Sequence, residues 1–222
     1  MSTKAFVLMS GGIDSTTCFQ LARRDHEQVI GVSIDYGQRH GKEIDYAKHN
    51  CSRHGCKHHV LSIRHIVPRT MLTDPQMTVP DISYADIKGV SPTYVPFRNG
   101  LMLSALSSFV QNEIDDEALI YFGAHAEDAA GWAYPDCTPE FTGAMANAIY
   151  IGTYRSTRLV VPLQHMNKAE IIKLGTHLGV DWAETWSCYG GGDLHCGSCP
   201  TCRARKAGFN KAGVPDPTKY AA

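Results

Sequence analysis

The chain has 222 residues, 43% of them hydrophobic, and a formal net charge of -1. That length fits one α/β domain with a small appendage and a full core, and the near-neutral balance gives no global field toward nucleic acid or an anionic membrane. No run is long and apolar enough to cross a bilayer, and the first apolar segment follows the N-terminus without a signal peptide, so a cytoplasmic protein is expected.

Residues 5–9 predict a buried strand. Ser10, Gly11, Gly12, Ile13, Asp14 and Ser15 follow, and residues 16–22 open a helix. Adjacent glycines permit a tight turn and close backbone approach to a ligand. The serines and threonines supply hydroxyls, and the helix N-terminus supplies free N–H groups and partial positive charge. Strand, glycine turn and helix N-terminus together make an anion cradle, most often for phosphate. With no lysine and no GxGxxG spacing, it is neither the GxxxxGK[ST] loop nor the dinucleotide fingerprint. The residues support two readings: a loop for the pyrophosphate of ATP, or an ordinary strand-to-helix turn with Asp14 or Ser15 as its N-cap.

Residues 28–35 predict a second strand, apolar almost throughout, as in a parallel sheet covered on both faces. It ends in a polar burst: Asp35, Tyr36, Gly37, Gln38, Arg39, His40. A helix to about Arg53 and a strand at residues 59–63 complete a strand–helix–strand–helix–strand series, which implies right-handed crossovers. Ligands of such open sheets sit at the carboxyl ends of the strands, so residues 10–15 and 35–40 share one mouth.

Residues 64–97, punctuated by Pro68, Pro75, Pro80, Pro92 and Pro96, predict an irregular lid or binding loop. A buried helix follows at 101–110, then a strand at 118–123 ending in His125, Glu127 and Asp128. Pro139 opens a helix to about Tyr150, and residues 158–163 predict a fifth strand. Asn167 caps the next helix with Glu170 as capping-box partner, and Gly179 stops it.

Cys188, Cys196, Cys199 and Cys202 have the spacing C-x7-C-x2-C-x2-C. Such steps let thiolates converge on one tetrahedral ion, and four thiolates leave no open position, so a structural zinc is expected. An iron–sulfur cluster is the rival. His195 reads as a surface histidine, and Arg203, Arg205 and Lys206 as a solvated helix face, with a nucleic-acid-binding knuckle as the alternative. The division expected is residues 1–185 for the sheet domain and 186–222 for the metal-binding subdomain.

Several of these motifs together resemble the 7-cyano-7-deazaguanine synthases of the pyrophosphatase-loop ATPase superfamily. They are the run from Ser10 to Cys18, the run from Asp35 to His40 with Glu43 and Ile44, Val95-Pro96, Arg98-Asn99, Tyr134-Pro135-Asp136-Cys137, Lys168-Ala169-Glu170 and the four cysteines. The resemblance implies an open five-stranded parallel sheet with helices on both faces and a small C-terminal zinc subdomain. It implies ATP-dependent conversion of 7-carboxy-7-deazaguanine and ammonia to the nitrile through adenylated carboxylate and amide. Small-molecule substrates, a homodimer and no stable nucleic-acid partner go with it.

Carried onto this chain, Leu8, Met9, Ser10, Gly11, Gly12, Ile13, Asp14, Ser15, Thr16, Thr17 and Cys18 hold ATP, and Asp14 holds Mg²⁺. Arg39, His40, Arg98 and Asn99 meet phosphate or the substrate carboxylate, and Lys168 meets phosphate. Gln38, Tyr134 and Asp136 serve the base, Asp136 by accepting from its N–H edge. Each has a bland counterpart: ion pairs for Arg39 and Arg98, an N-cap before Pro139 for Asp136, and packing for Cys18, Cys51, Cys56 and Cys137. Phe97, Thr138 and the longer run at 129–133, which includes Trp132, depart from the family pattern near the base pocket. They raise the amide as an alternative end point. A tRNA thiolation enzyme and a non-catalytic zinc module are the remaining alternatives.

Overall fold

The computed structural model describes residues 3–39, 41–74, 76–79 and 86–221. All five predicted strands form: β1 (Lys4–Leu8), β2 (Val29–Asp35), β3 (Lys57–Ser62), β4 (Ala118–Tyr121) and β5 (Thr157–Val160). They make one sheet in the order β3-β2-β1-β4-β5, every neighbouring pair parallel. The helices are α1 (Ile13–Asp25), α2 (Lys42–Arg53), α3 (Arg98–Val110), α4 (Ala126–Ala129), α5 (Pro139–Gly152), α6 (Lys168–His177) and α7 (Pro200–Ala212).

The strand period of two sends alternate side chains of central β1 to opposite faces. Phe6 and Leu8 join Leu103, Leu106 and Ile149 of α3 and α5 on one side. Ala5 and Val7 join Phe19, Ala47, Ile171 and Phe209 of α1, α2, α6 and α7 on the other. Both faces are thus covered, which explains why Ala5, Phe6 and Val7 are fully buried.

Local signals fix several boundaries. The Asn167 side chain accepts from the Glu170 N–H at 3.1 Å while the Glu170 carboxylate accepts from the Asn167 N–H at 2.8 Å, the predicted capping box. Gly179, with φ 77°, follows the end of that helix. α3 begins at Arg98, where Phe97 turns into the left-handed region (φ 56°) and its carbonyl accepts from Leu101. The cap of α5 is Thr138, whose hydroxyl accepts from the Phe141 N–H at 3.2 Å, not Asp136. Between β3 and α3 the described residues form no strand or α-helix.

Two readings of the C-terminal segment need correction. Arg205 is not on a solvated face: it is 1% exposed. Its guanidinium donates to Thr185 Oγ1 at 2.8 Å, the Trp182 carbonyl at 2.9 Å and Asp216 at 3.2 Å. His195 is buried too, its Nε2 accepting from the Ser187 N–H at 3.1 Å and its ring 4.2 Å from that of Trp186. α7 packs into the main core through Phe209 and Ala212, while Trp186, Cys188, Cys199 and Cys202 form a separate small cluster.

Candidate active site

The turn after β1 carries the site. Gly11 has φ 74°, and a Cβ there would lie 2.4 Å from the Glu43 carbonyl oxygen, so no other residue fits between loop and α2. Its own carbonyl accepts from the Trp186 N–H at 2.9 Å. Ser10 and Ser15 brace the turn: Ser15 Oγ accepts from the Ser10 N–H at 3.1 Å and lies 3.0 Å from Ser10 Oγ. The N-cap of α1 is Gly12, and no side chain caps it, so neither Asp14 nor Ser15 plays that part. The first-turn N–H groups and the helix dipole are left for something else. Beyond them, a cavity of about 230 Å³ opens at the carboxyl ends of the strands.

Leu8, Met9, Ser10, Gly12, Ile13, Asp14 and Ser15 line that cavity; Gly11, Thr16, Thr17 and Cys18 do not. Thr17 Oγ1 donates back to the Ile13 carbonyl at 2.8 Å. Burial, with the Asp14 charge second, pushes the fully buried Cys18 thiol up, which leaves it an inert packing group.

Lys168, at the start of α6, donates to both Asp14 carboxylate oxygens at 2.8 Å. It also lies 2.9 Å from His125 Nε2, which in turn is 3.2 Å from Asp128. Burial disfavours the Lys168 charge, but Asp14 and Asp128 outweigh it and raise its pKa, so the ammonium persists. Burial would raise the Asp128 carboxyl, yet His125 and Lys168 hold it below the usual carboxylate range. Burial also works against a charged His125, and the neighbouring carboxylates raise it nonetheless. His125 is fully buried, and its Nδ1 has no hydrogen-bond partner among the described residues. The polar set after β4 was visible in the sequence; that it locks onto Lys168, more than 40 residues on, was not.

Arg98, Asn99, Gln38 and Glu43 also line the cavity. Arg98 donates to the Tyr36 hydroxyl at 3.1 Å and lies over the Tyr36 ring at 5.0 Å. Burial disfavours its charge, and Tyr36, Tyr189, Asp136 and Glu43 more than offset that. The Glu43 carboxyl is pushed up to about 7 by burial, against the pull of Arg98. Glu43 belongs to the motif quoted above, but its place in the cavity comes only from the packing of α2 on the loop.

Other predicted residues are engaged elsewhere. Asp136 is buried and its carboxylate accepts from the Asn99 backbone N–H at 3.0 Å, so it caps α3 across 37 residues. Asn99 Nδ2 reaches the Asp136 carbonyl at 3.2 Å and Cys137 Sγ at 3.3 Å. The Tyr134 hydroxyl bonds Thr93 at 2.6 Å and Ser91 at 3.1 Å. Neither Tyr134 nor Asp136 lines the cavity. Arg39 donates to the Met77 carbonyl at 2.9 Å, which ties it to the irregular excursion. His40 lies outside the described residues.

The sulfurs of Cys188, Cys196, Cys199 and Cys202 all lie within 4.8 Å of one another. A tetrahedral thiolate set around zinc would need about 3.8 Å between sulfurs, so the cluster fits a metal after a small contraction. Backbone N–H groups already aim at it: Gly190 and Cys196 donate to Cys188 Sγ at 3.2 Å each, and Cys199 to Cys196 Sγ at 3.3 Å. Trp186, Ser187 and Tyr189, just before and after the first cysteine, line the cavity.

Comparison with known proteins agrees with this layout. The family model described as queuosine biosynthesis protein QueC matches residues 4–213. The 7-cyano-7-deazaguanine synthase of Chromohalobacter salexigens is 39% identical over 223 residues, covering 99% of this chain and 87% of that protein. Those of Thermoplasma volcanium and Oceanobacillus iheyensis are each 40% identical, covering 99% and 98% of this chain and 92% and 98% of theirs. Among solved structures, the U34-tRNA thiolase NcsA of Methanococcus maripaludis, with its [4Fe-4S] cluster, shares the fold at a TM-score of 0.51. It is 15% identical, with 99% of this chain and 76% of that one covered. With a family model spanning nearly the whole chain and relatives at this identity, the chain belongs to the QueC family of queuosine biosynthesis proteins.

Proposed function

We propose that this chain is an ATP-dependent carbon–nitrogen ligase that converts 7-carboxy-7-deazaguanine and ammonia to 7-cyano-7-deazaguanine. One observation carries the reading: the uncapped N-terminus of α1, Lys168 and Arg98 line one cavity. The helix N-terminus and Lys168 suit phosphates and Arg98 a carboxylate, which are the two groups that must meet. A carboxylate resists ammonia because oxide would have to leave. Adenylation of the carboxylate releases pyrophosphate and makes AMP the leaving group. Ammonia then displaces AMP to give the amide. A second adenylation, on the amide oxygen, lets that oxygen leave with AMP and yields the nitrile.

In this reading residues 8–15 and Lys168 hold ATP, the N–H groups of α1 stabilising charge that builds as the α–β bond breaks. Arg98 takes the substrate carboxylate, with Asn99 and Gln38 beside it. Asp14 has lone pairs left after each oxygen accepts one hydrogen bond from Lys168, so one carboxylate contact to Mg²⁺ fits. The ion would supply positive charge opposite the phosphate oxygens. Zn²⁺ fits the four thiolates as a structural ion that braces residues 186–222 against the cavity. A cytoplasmic homodimer acting on small molecules without a nucleic-acid partner completes the proposal; the net charge of -1 supports the last part.

The test is incubation with the carboxylated base, Mg-ATP and ammonium, read by mass spectrometry and nucleotide analysis. Nitrile with AMP and pyrophosphate is expected. Amide alone would overturn the end point, and ATP use independent of the base would overturn the ligase reading.

A further inference from the structure

Two polar groups of residues that line the cavity have no partner among the described residues. The Glu43 carboxylate, in the first turn of α2, receives no hydrogen bond or ion pair from the described residues; only the charge of Arg98 acts on it. Arg98 Nε is buried and without a partner among the described residues, while one terminal nitrogen donates to Tyr36. The other acids on the cavity wall are taken: Asp14 by Lys168 and Asp128 by His125. Buried polar groups are normally satisfied, so an unpaired acceptor and the guanidinium whose charge acts on it, both on the cavity lining, mark where a ligand presents a donor beside an acceptor.

Two rings accompany them: Tyr36 and Tyr189 line the same cavity, Arg98 lies over the Tyr36 ring, and Glu43 and Tyr189 both feel Arg98. The space therefore suits a flat heterocycle whose edge offers N–H donors next to oxygen acceptors. Along one side, 7-carboxy-7-deazaguanine presents its 2-amino group, N1–H, the ring carbonyl and then the carboxylate. That order is donor, donor, acceptor, acceptor. Resting on the ligase reading above, we propose that Glu43 accepts from N1–H and the 2-amino group, while Arg98 donates to the neighbouring carbonyl and carboxylate. Glu43 is then the residue that specifies a guanine-type base. It takes the part the sequence assigned to Asp136, which the fold spends on capping α3.

An adenine edge offers one acceptor beside one donor, which a glutamine side chain could match as well as a protonated Glu43. Glu43→Gln therefore separates the two. The experiment measures kcat and KM for the base and for ATP. It also measures calorimetric binding, without ATP, of the carboxylated base and of its 7-deazahypoxanthine analogue, which lacks the 2-amino group. Wild type should prefer the 2-amino base by about 100-fold, since the analogue leaves one buried carboxylate oxygen unpaired. Glu43→Gln should raise the KM and the Kd of the base by about tenfold or more and erase most of that preference. The KM of ATP should stay within about twofold, and Glu43→Asp should restore part of the preference. An intact preference in Glu43→Gln, or equal rises in both KM values, would overturn the assignment. If wild type binds the base in a Glu43-dependent way but turns nothing over, the ligase reading fails and the edge contact stands. If it does not bind the base, both fail.

Discussion

Lys168 Nζ lies 2.8 Å from each carboxylate oxygen of Asp14, so the first turn of α1 and the first turn of α6 are joined by a two-pronged ion pair on the cavity lining. The side chains are 12% and 24% exposed. At that burial the loss of one partner costs more than the pair contributes, because the other charge is stranded. Lys168→Met and Asp14→Asn should each lower unfolding stability by about 3 kcal/mol, and the double variant should lose clearly less than the sum. Lys168→Met should also lower kcat/KM for ATP by about 100-fold. Urea unfolding and steady-state kinetics check both parts; additive stability losses would mean the pair is not coupled.

The two loop glycines should behave differently. Gly11→Ala forces a left-handed φ and drives a Cβ into the Glu43 carbonyl, so a loss of about 3 kcal/mol or failure to fold is expected. Gly12 has φ -84°, and an added Cβ would meet Ser10 Oγ and the Trp186 carbonyl at an ordinary 3.4 Å. Gly12→Ala should fold within about 1 kcal/mol of wild type, yet raise the KM of ATP, because Gly12 lines the cavity beside Ser10 and Trp186. Circular dichroism melts with ATP kinetics separate the outcomes. Equal stability for both variants would show that the turn tolerates a side chain.

Metal and loop are linked through Trp186, which donates to the Gly11 carbonyl at 2.9 Å two residues before Cys188. Elemental analysis should give one zinc per chain and no iron or sulfide. Chelation, or Cys199→Ala with Cys202→Ala, should raise the KM of ATP by about tenfold through this contact, and restored zinc should reverse the chelated case. Unchanged ATP kinetics after metal loss would separate the two sites.

How far the sequence speaks depends on how local the signal is. The five apolar runs, the Asn167–Glu170 box and the cysteine spacing are each written within a dozen or so residues, and all reappear in the fold. The shared mouth followed from strand polarity alone. What escaped depends on partners far along the chain. Arg205 reads as one charge of a basic helix until Trp182, Thr185 and Asp216 converge on it. Asp136 sits one residue before the true α5 cap's neighbour Cys137, yet it serves the N-terminus of another helix. His125 looked like one more polar residue after a strand, and only the approach of α6 seals it beside Lys168.

The Glu43 carboxyl ionises near 7 in the folded protein, against an ordinary 4.5, because burial opposes its charge. Below pH 4.5 it is protonated in both the folded and the unfolded chain, and the stability associated with it is fully present. As pH rises toward 7 the unfolded chain releases the proton while the folded chain keeps it, so stability drains by up to about 3 kcal/mol. Glu43→Gln has no proton to lose there, although it forgoes the attraction to Arg98. The difference in unfolding free energy between variant and wild type should therefore shift by about 1–3 kcal/mol in favour of the variant from pH 4.5 to 8. Urea titrations at four pH values measure it, and parallel curves would mean the carboxyl is solvated and ionises normally. Bound base should reverse the trend, since N–H donors favour the carboxylate. Wild-type affinity for the base should then rise with pH until Glu43 is ionised, while that of Glu43→Gln stays flat across the same range.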